Sequence, residues 1–358
     1  MRQCCIVRSW IGTCRSGYQR GRRSTHCTAG QYRPASGCSR NSAIAICGSS
    51  SVHVTRVGEL QTAMTPRTIY VVGKGRSGST LVGDFLGSLP GVFHTGELNK
   101  MWEYSIVGNH SCACGEALHR CPVWSQVIRI AKLDKRCAWC FDDPSEMARL
   151  QRRWRSFSGG LLAVLSKDSP SRYLQALEGI AAAIQAVTHC HTIVDTSKWP
   201  LDPRFFDKSY SDRIDILHVV RNPWAVSRSW ATPKKMPHVD YSLPTYGKVF
   251  SAFSWSTRIF LSEAIRRWRS PRGLLLKFED VTQDPEAALE KLAGALKLQG
   301  AASLLQGDQI RLAPGHTVFG NPSRFVHGDT AITKLESPVP KSIITTVLTW
   351  PARRLIGY

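Results

Sequence analysis

Short apolar runs alternate with segments of helical period from Thr65 to the C-terminus. The apolar runs predict five β-strands, each ending in polar residues: Thr68–Gly73, Val92–His94, His191–Asp195, Ile214–Val220 and Leu274–Phe278. The segments of helical period predict helices at about Ser79–Leu86, 147–165, 172–187, 246–269 and 285–298. Strands that alternate with helices indicate an α/β fold with a central parallel sheet flanked by helices on both faces. In such sheets ligands bind beyond the carboxyl ends of the strands.

The first 63 residues differ in composition from the rest of the chain. They contain nine Arg, nine Ser, six of the twelve Cys, no Lys and a single acidic residue, Glu59. No helical or alternating apolar period is sustained there, so we predict that this part builds no hydrophobic core. Two interpretations stay open: an organelle transit peptide, or a spurious or disordered arm upstream of a true start at Met64. Residues 1–65 are therefore expected to be an N-terminal extension, and residues 66–358 the folded domain.

Basic residues outnumber acidic ones, 47 Lys and Arg against 26 Asp and Glu, and the formal net charge is +21. This excess indicates anionic partners such as phosphates, sulfates, acidic glycans, nucleic acid or a membrane surface. With 42% hydrophobic and 20% charged residues, the composition excludes a disordered or fibrous chain. No apolar run approaches the roughly 18 residues of a membrane span. We therefore expect a soluble, cytoplasmic protein without a membrane span.

The first candidate site follows the first predicted strand, where residues 73–80 read GKGRSGST. A strand, a glycine-rich loop and a helix N-terminus form an anion cradle, because backbone N–H groups and the helix dipole point at the bound group. The nucleotide triphosphatase loop, G-x-x-x-x-G-K-[ST], has the same glycine spacing. Here Ser79 stands in the place of its phosphate-binding Lys, and the cations lie inside the loop as Lys74 and Arg76. This difference argues against ATP or GTP hydrolysis.

The second candidate site follows the strand Ile214–Val220, where residues 217–230 read LHVVRNPWAVSRSW. Arg221 ends the strand, and Pro223 stands at a favourable first helical position. Ser229 lies eight residues beyond Arg221, and two turns of helix bring it back towards the strand end. Arg221 and Ser229 can therefore converge on one phosphate.

Together the two motifs resemble those of the bacterial-type sulfotransferases that use 3′-phosphoadenosine-5′-phosphosulfate (PAPS). GKGRSGST is similar to their 5′-phosphosulfate loop, and RNPWAVSRS is similar to their 3′-phosphate motif. Further similar segments are HTGEL (94–98), VDTSKWP (194–200), KFEDVTQDP (277–285), HTVFGNPSRF (316–325) and RRLIGY (353–358). The resemblance implies a three-layer, P-loop-like fold and transfer of a sulfuryl group from PAPS to a hydroxyl or amine.

The resemblance also implies which residues bind PAPS and which take part in catalysis. Those implied for the 5′-phosphosulfate are Gly75, Arg76, Ser77, Gly78, Ser79 and Thr80. Those implied for the 3′-phosphate are Arg221 and Ser229, with Arg324 in the late loop as a second phosphate contact. Lys198 and Arg76 would offset the charge of the leaving group, and Glu97 would be the general base. His94 is a rival base, and a carboxylate in the first turn of a helix is the other interpretation of Glu97.

Several properties stay open on the sequence alone. The cysteines outside the extension include Cys112, Cys114, Cys121, Cys137 and Cys140. The last two have C-x-x-C spacing, so a Cys₄ zinc site, a reversible disulfide and reduced thiols are the alternatives. We expect no metal, because C-x-C-x₆-C is not a standard half-site and the resemblance implies none.

The acceptor and the function class also have alternatives. Residues 101–172 and the loop 232–246 are predicted to form the acceptor wall, which suits a small molecule or a glycan but also a phenol or a lipid. A P-loop kinase or NTPase and a non-enzymatic polyanion-binding protein are the other function classes. We expect no nucleic-acid partner.

Overall fold

A computed structural model of the protein describes residues 66–165, 171–235, 242–269, 273–306, 309–331 and 340–358, and two strands before them. These strands, β1 (Ile44–Gly48) and β2 (Ser51–Thr55), pair antiparallel. The rest of residues 1–65 lies outside the described residues. The assignment of residues 1–65 to an extension therefore stays a prediction.

Five parallel strands form the central sheet. After β2 the described strands are β3 (Arg67–Val72), β4 (Val92–Gly96), β5 (Thr192–Lys198), β6 (Ile214–Val220), β7 (Lys234–Lys235), β8 (Ser242–Leu243), β9 (Leu274–Lys277), β10 (Leu305–Gln306), β11 (Gln309–Leu312) and β12 (Gly328–Ala331). The central sheet has the order β4-β5-β3-β6-β9. Antiparallel pairing joins β7 to β8, and β11 to both β10 and β12. The first strand of the domain, β3, thus lies at the centre of the sheet.

Helices fill most of the connections between these strands. The α-helices are α1 (Ser79–Gly87), α2 (Trp124–Ala131), α3 (Trp139–Asp142), α4 (Pro144–Arg155), α5 (Phe157–Leu165), α6 (Ser171–Thr188), α7 (Lys208–Ser211), α8 (Pro223–Ala231), α9 (Lys248–Arg269), α10 (Phe278–Gln283), α11 (Pro285–Ala295) and α12 (Ile343–Ile356). A π-helical segment spans Met101–Val107, and short 3₁₀ turns span Leu98–Lys100, Pro203–Phe205, Ala302–Leu304 and Pro322–Phe325. Within the described ranges, no helix combines the length and the apolar character needed to cross a bilayer.

Three helices begin with the same N-terminal cap, an Asp or Asn residue followed by proline. Asp143, Asn222 and Asp284 each accept a hydrogen bond from the backbone N–H three residues ahead. The proline that follows each cap has no N–H to leave unpaired in the first turn. The structure confirms the helix starts that the sequence predicts at Pro223 and Pro285.

Alternate residues of β3 supply the two faces of the core. Ile69 and Val71 pack in one apolar cluster with Phe85 of α1, and α11 contributes to the same cluster. Tyr70 and Val72 belong to a second cluster on the other face, with side chains of α2 and α6. Because both faces of β3 are covered by helices, its sequence is a continuous apolar run. The predicted α/β fold with three layers is therefore confirmed.

The structure also corrects two parts of the prediction. The helix expected at 147–165 is two helices, α4 and α5, because Ser156 adopts an extended backbone (ψ 155°) between them. The sequence does not predict the antiparallel strands β10 to β12, because segments of two to four residues are too short for a periodic pattern to indicate a strand. All five predicted strands of the central sheet are present, with ends that differ by no more than three residues.

The turn between β3 and α1 requires glycine at position 78. Gly78 has φ +85°, and a Cβ atom there would lie 2.0 Å from Cδ2 of the Phe278 ring. Gly78→Ala should therefore lower the free energy of unfolding by at least about 1–2 kcal/mol from the left-handed backbone alone. Thermal or urea unfolding measures this change.

Gly294→Ala in α11 is the matched control for this prediction. A Cβ atom at position 294 would have no neighbour within 4 Å. The alanine should leave stability unchanged or raise it by up to about 1 kcal/mol, because alanine favours the helix. Equal destabilisation by both variants would contradict the role given to Gly78.

Candidate functional site

The carboxyl ends of β3, β5 and β6 open into one cleft of about 970 Å³. Both sequence motifs contribute to its wall, although 140 residues separate them. The predicted site residues that line it are Gly75, Arg76, Gly78, Ser79, Thr80, Glu97, Lys198, Arg221 and Ser229. Ser77 and Arg324 are buried and do not line it.

The glycine-rich loop presents polar groups without protein partners. Arg76 adopts φ +72°, a conformation that costs energy for a side chain with a Cβ. Its Nη1 donates to Oδ1 of Asn321 at 3.3 Å, whereas its buried Nη2 has no hydrogen-bond partner in the described structure. Oγ of Ser77 is also buried without a hydrogen-bond partner in the described structure, and no side chain caps the N-terminus of α1. These groups suit an anion.

Lys74, the other cation of the glycine-rich loop, lines the cleft. Its Nζ donates to Oγ of Ser254 at 2.7 Å and lies 4.8 Å from the centre of the Trp230 ring. Trp230 also donates through Nε1 to the carbonyl of Gly75 at 3.0 Å, which fixes the ring under the loop. Burial, together with the charge of Arg258, lowers the pKa of Lys74 to about 8.

The second motif is braced by a carboxylate that does not face the cleft. Glu279 accepts hydrogen bonds through Oε1 from the backbone N–H of Asn222 at 2.9 Å and from its Nδ2 at 2.7 Å. Its other oxygen accepts from the hydroxyl of Tyr358, next to the C-terminus. The guanidinium of Arg221 lies over the Phe278 ring, and its buried Nε has no partner among the described residues. The brace therefore holds Arg221 and Ser229 on the wall of the cleft.

Glu97 lies between two lysines. Nζ of Lys198 donates to Oε1 at 2.6 Å, and Nζ of Lys100 lies 2.9 Å from Oε2. Burial alone would raise the pKa of Glu97, but the two ammonium groups outweigh it and lower this pKa to about 2. Lys198 itself has φ +66° and also donates to the carbonyl of Thr196. Glu97 starts a short 3₁₀ turn without capping it by its side chain, so its carboxylate is available to the cleft.

His94, the rival base, has both ring nitrogens engaged inside the protein. Nδ1 lies 2.9 Å from Oδ1 of Asp84, and Nε2 lies 3.1 Å from Oγ1 of Thr196. His94 is buried and does not line the cleft. The geometry therefore favours Glu97 over His94.

Arg324 occupies a different place from the phosphate contact that the resemblance implies. Its guanidinium donates to the carbonyl of Thr317 at 2.6 Å and to that of Ser111 at 2.7 Å. These bonds join the late loop to the segment around residue 111, and Arg324 is not among the residues that line the cleft. The structure therefore gives Arg324 a bracing position.

Positive charge dominates the wall of the cleft. Among its described residues, one carboxylate, Glu97, faces nine cations: Lys74, Arg76, Lys100, Arg152, Arg155, Lys198, Arg221, Lys234 and Arg258. Arg152 and Arg155 pair with Glu103. Burial lowers the pKa of six of the others: Lys74, Arg76, Lys198, Arg221, Lys234 and Arg258. Lys198 pairs with Glu97, but the other five form no ion pair with a carboxylate among the described residues, so the cleft favours a multiply charged anion.

The predicted acceptor wall is described in part. Residues 166–170 and 236–241 lie outside the described residues. Arg152, Arg155, Leu243 and Tyr246 from the predicted regions do line the cleft. The sequence did not identify Lys100, Trp230 and Arg258 as residues that line the cleft. For Lys100 a signal was present, because it lies three residues after Glu97, a spacing at which two side chains can pair.

Solved structures of sulfotransferases and sulfotransferase domains are similar to this chain, whereas no family model and no curated protein matches it. The sulfotransferase domain of the Synechococcus PCC 7002 olefin synthase is 17% identical over 82% of this chain and 96% of that chain (TM-score 0.47). The sulfotransferase domain from the curacin biosynthetic pathway is 15% identical over 82% and 98% (TM-score 0.44). Sulfotransferase STF9 from Mycobacterium avium is 10% identical over 67% and 66% (TM-score 0.36). At TM-scores below 0.5, the function has to be argued from the cleft itself.

The pKa of Glu97 predicts a pH dependence of stability. A carboxylate whose pKa falls from 4.5 to about 2 on folding stabilises the protein fully above pH 4.5. This contribution is lost as the pH falls towards about 2. Glu97→Gln should therefore be less stable than the wild type near neutral pH, and the difference should narrow as the solution is acidified. The urea unfolding midpoints of the two proteins at a series of pH values measure this stability difference.

Glu116→Gln is the control for this experiment, because Glu116 forms an exposed pair with Arg120. Exposed pairs contribute about 0–1 kcal/mol, so this variant should follow the wild type at each pH. A stability difference for Glu97→Gln that does not change with pH would contradict the account of Glu97.

Proposed function

We propose that the protein transfers a sulfuryl group from PAPS to a hydroxyl or amine of a small-molecule or glycan acceptor. The observation that carries this proposal is the placement of two anion-binding motifs on the wall of one cleft with a large surplus of positive charge. Buried donors without partners occur in both motifs, at Arg76 and Ser77 in the first and at Arg221 in the second. A donor with anionic groups at both ends of a nucleoside fits this arrangement.

The residues of the cleft fit the two charged ends of PAPS. The loop of residues 75–80 would hold the 5′-phosphosulfate through backbone N–H groups, the N-terminus of α1 and Arg76. Arg221 and Ser229 would hold the 3′-phosphate, the group that distinguishes PAPS from ATP. Lys74 and Lys234 add charge between them.

Sulfuryl transfer requires neutralisation of the charge on the leaving group and an acceptor for the proton. Sulfuryl transfer breaks the bond from sulfur to the bridging phosphate oxygen and forms a bond from sulfur to the acceptor atom, which loses its proton. Lys198 would offset the charge that develops on the leaving phosphate. Glu97 would take the proton from the acceptor.

The contacts of Glu97 indicate how its basicity is controlled. With two lysines bound, the carboxylate is deprotonated near neutral pH but is a weak base. If Lys198 turns to the leaving phosphate, Glu97 loses one of its two cationic partners, and its pKa rises. Proton transfer would then be coupled to binding of the donor.

The two other function classes fit the cleft less well. Magnesium-dependent ATP chemistry needs carboxylates for the metal, yet Glu97 is the one carboxylate among the described lining residues and is held by two lysines. A non-enzymatic polyanion-binding protein would not need Glu97 and Lys198 paired inside the cleft. Both classes remain outcomes of the binding experiment.

Ligand-induced thermal stabilisation separates these classes. The product 3′-phosphoadenosine 5′-phosphate should stabilise the protein more than ATP with Mg²⁺ or heparin does. At 100 times its Kd the contribution is about 2.7 kcal/mol. Stabilisation by ATP with Mg²⁺ but not by the bisphosphate would contradict the proposal.

Arg221→Ala tests the assignment of the 3′-phosphate. Loss of a hydrogen bond to a charged group costs about 1.5–3 kcal/mol, so this variant should bind the bisphosphate at least about tenfold more weakly. Its affinity for adenosine 5′-monophosphate should change little. Arg228→Ala, which changes the residue before Ser229 in α8 but is exposed and outside the cleft wall, is the control. A similar loss for both nucleotides would refute the assignment.

Glu97→Gln tests the proposed base. Transfer of radiolabelled sulfate from PAPS should be screened over glycans, glycolipids, phenols and steroids to find an acceptor. With that acceptor, Glu97→Gln should lower turnover by about 10²–10⁴, because proton transfer is lost, while binding of the bisphosphate is kept. Full activity of both Glu97→Gln and Glu97→Ala would exclude Glu97 as the base.

A further inference from the structure

Three cysteines and a histidine outside the cleft converge on one point. Cys112, Cys114, Cys121 and His316 place their Sγ and ring nitrogen atoms within 4.8 Å of one another. Cys112 and Cys121 are buried, and Cys114 and His316 are half-buried. About 200 residues separate His316 from the cysteines, so the fold rather than the local chain brings it to them.

The distances among Cys112, Cys121 and His316 are close to the edge lengths of a tetrahedral metal site, and Cys114 lies within 4.8 Å of all three. Sγ of Cys112 and Sγ of Cys121 are 3.6 Å apart. Nδ1 of His316 lies 3.3 Å from Sγ of Cys121 and 3.8 Å from Sγ of Cys112. Ligands at the usual Zn–S and Zn–N lengths of about 2.3 and 2.0 Å stand roughly 3.5–3.8 Å from one another in a tetrahedron. A disulfide would need sulfur atoms about 2.05 Å apart.

The backbone around the cysteines holds them in this arrangement. Gly115 has φ +88° and donates its N–H to the carbonyl of Cys112 at 2.9 Å, which closes a tight turn after Cys114. The N–H of Cys112 donates to the carbonyl of Glu116, and the N–H of Trp124 points at Sγ of Cys121 at 3.5 Å. Trp124 also donates through Nε1 to the carbonyl of His316. Such contacts orient the ligands of a metal site.

The C-x-x-C pair does not belong to this cluster. Cys137 donates its thiol to the carbonyl of Ala131 at 3.2 Å, and Cys137 and Cys140 pack in the apolar core. The Cys₄ combination that the spacing suggested is therefore not assembled in the described structure. His316 takes the fourth place instead.

We infer that Cys112, Cys114, Cys121 and His316 form a structural zinc site. Three thiolates and one imidazole are a standard ligand set for structural Zn²⁺, and the thiol protons pass to solvent as the metal binds. The site would carry a net charge of −1, and the buried guanidinium of Arg324 lies next to it through its bond to the carbonyl of Ser111. This inference departs from the expectation of no metal that the sequence gives.

The site would tie the late loop to the segment that holds the cysteines. The N–H of Ala113 donates to the carbonyl of Thr317, next to His316. Two residues after Thr317, the carbonyl of Phe319 accepts a hydrogen bond from the N–H of Glu97. Oδ1 of Asn321 accepts a hydrogen bond from Nη1 of Arg76. Metal binding would therefore stabilise the side of the cleft that contains Glu97 and Arg76.

Metal analysis of the full-length protein tests this inference without any substrate. Protein purified under reducing conditions from zinc-supplemented medium should contain about one zinc ion per chain. Cys121→Ser should lose the ion to a chelator at a concentration that leaves the wild type loaded. Cys137→Ser, which changes a buried thiol outside the cluster, should keep it. Equal zinc retention by Cys121→Ser and the wild type would overturn the assignment of the ligands.

Substitution of zinc by Co²⁺ gives a readout that needs no variant. The wild type should show thiolate-to-cobalt charge-transfer bands together with the d–d bands of a tetrahedral site. Absence of these bands, or a Cys112–Cys121 disulfide in protein kept under reducing conditions, would overturn the inference. Because neither readout involves PAPS, failure of the proposed sulfuryl transfer leaves this test unaffected.

Discussion

Uncompensated positive charge at the carboxyl edge of the central sheet is the constraint on which the site depends. The parallel strands bring three cations to one edge: Lys198 ends β5, Arg221 directly follows β6, and Arg76 lies in the loop between β3 and α1. Burial of these cations is costly unless an anion faces them. Among the residues that the structure describes, one carboxylate, Glu97, lines the cleft, and Glu279 lies behind the wall as a brace. The remaining positive charge is left for a bound anion.

Backbone conformation at this edge is consistent with a functional rather than a structural use of the charges. Arg76 and Lys198 both adopt positive φ, which side chains with a Cβ seldom do. Such conformations persist only where the surrounding structure enforces them. Here Trp230 fixes the loop at Gly75, and Lys198 is held by Glu97 and the carbonyl of Thr196. The net charge of +21 therefore matters less than where these few cations lie.

The sequence predicted the sheet well because buried parallel strands are continuous apolar runs bounded by polar residues. The predicted parallel sheet also explains why the two motifs line one cleft, because the carboxyl ends of parallel strands meet at one edge of the sheet. The sequence could not show that the side chain of Arg324 binds the carbonyl of Ser111, because 213 residues separate the two positions in the chain. It also could not place His316 beside Cys112, Cys114 and Cys121, because only the fold brings these residues together, whereas the local C-x-x-C spacing pointed to Cys137 and Cys140. Contacts between distant segments thus set the limit of the prediction.

A crystal structure of the complex with 3′-phosphoadenosine 5′-phosphate tests the central claim most directly. The account predicts the 5′-phosphate on the backbone of residues 75–80 beside Arg76, and the 3′-phosphate on Arg221 and Ser229. A nucleotide bound with its phosphates exchanged, or bound outside the cleft, would contradict it.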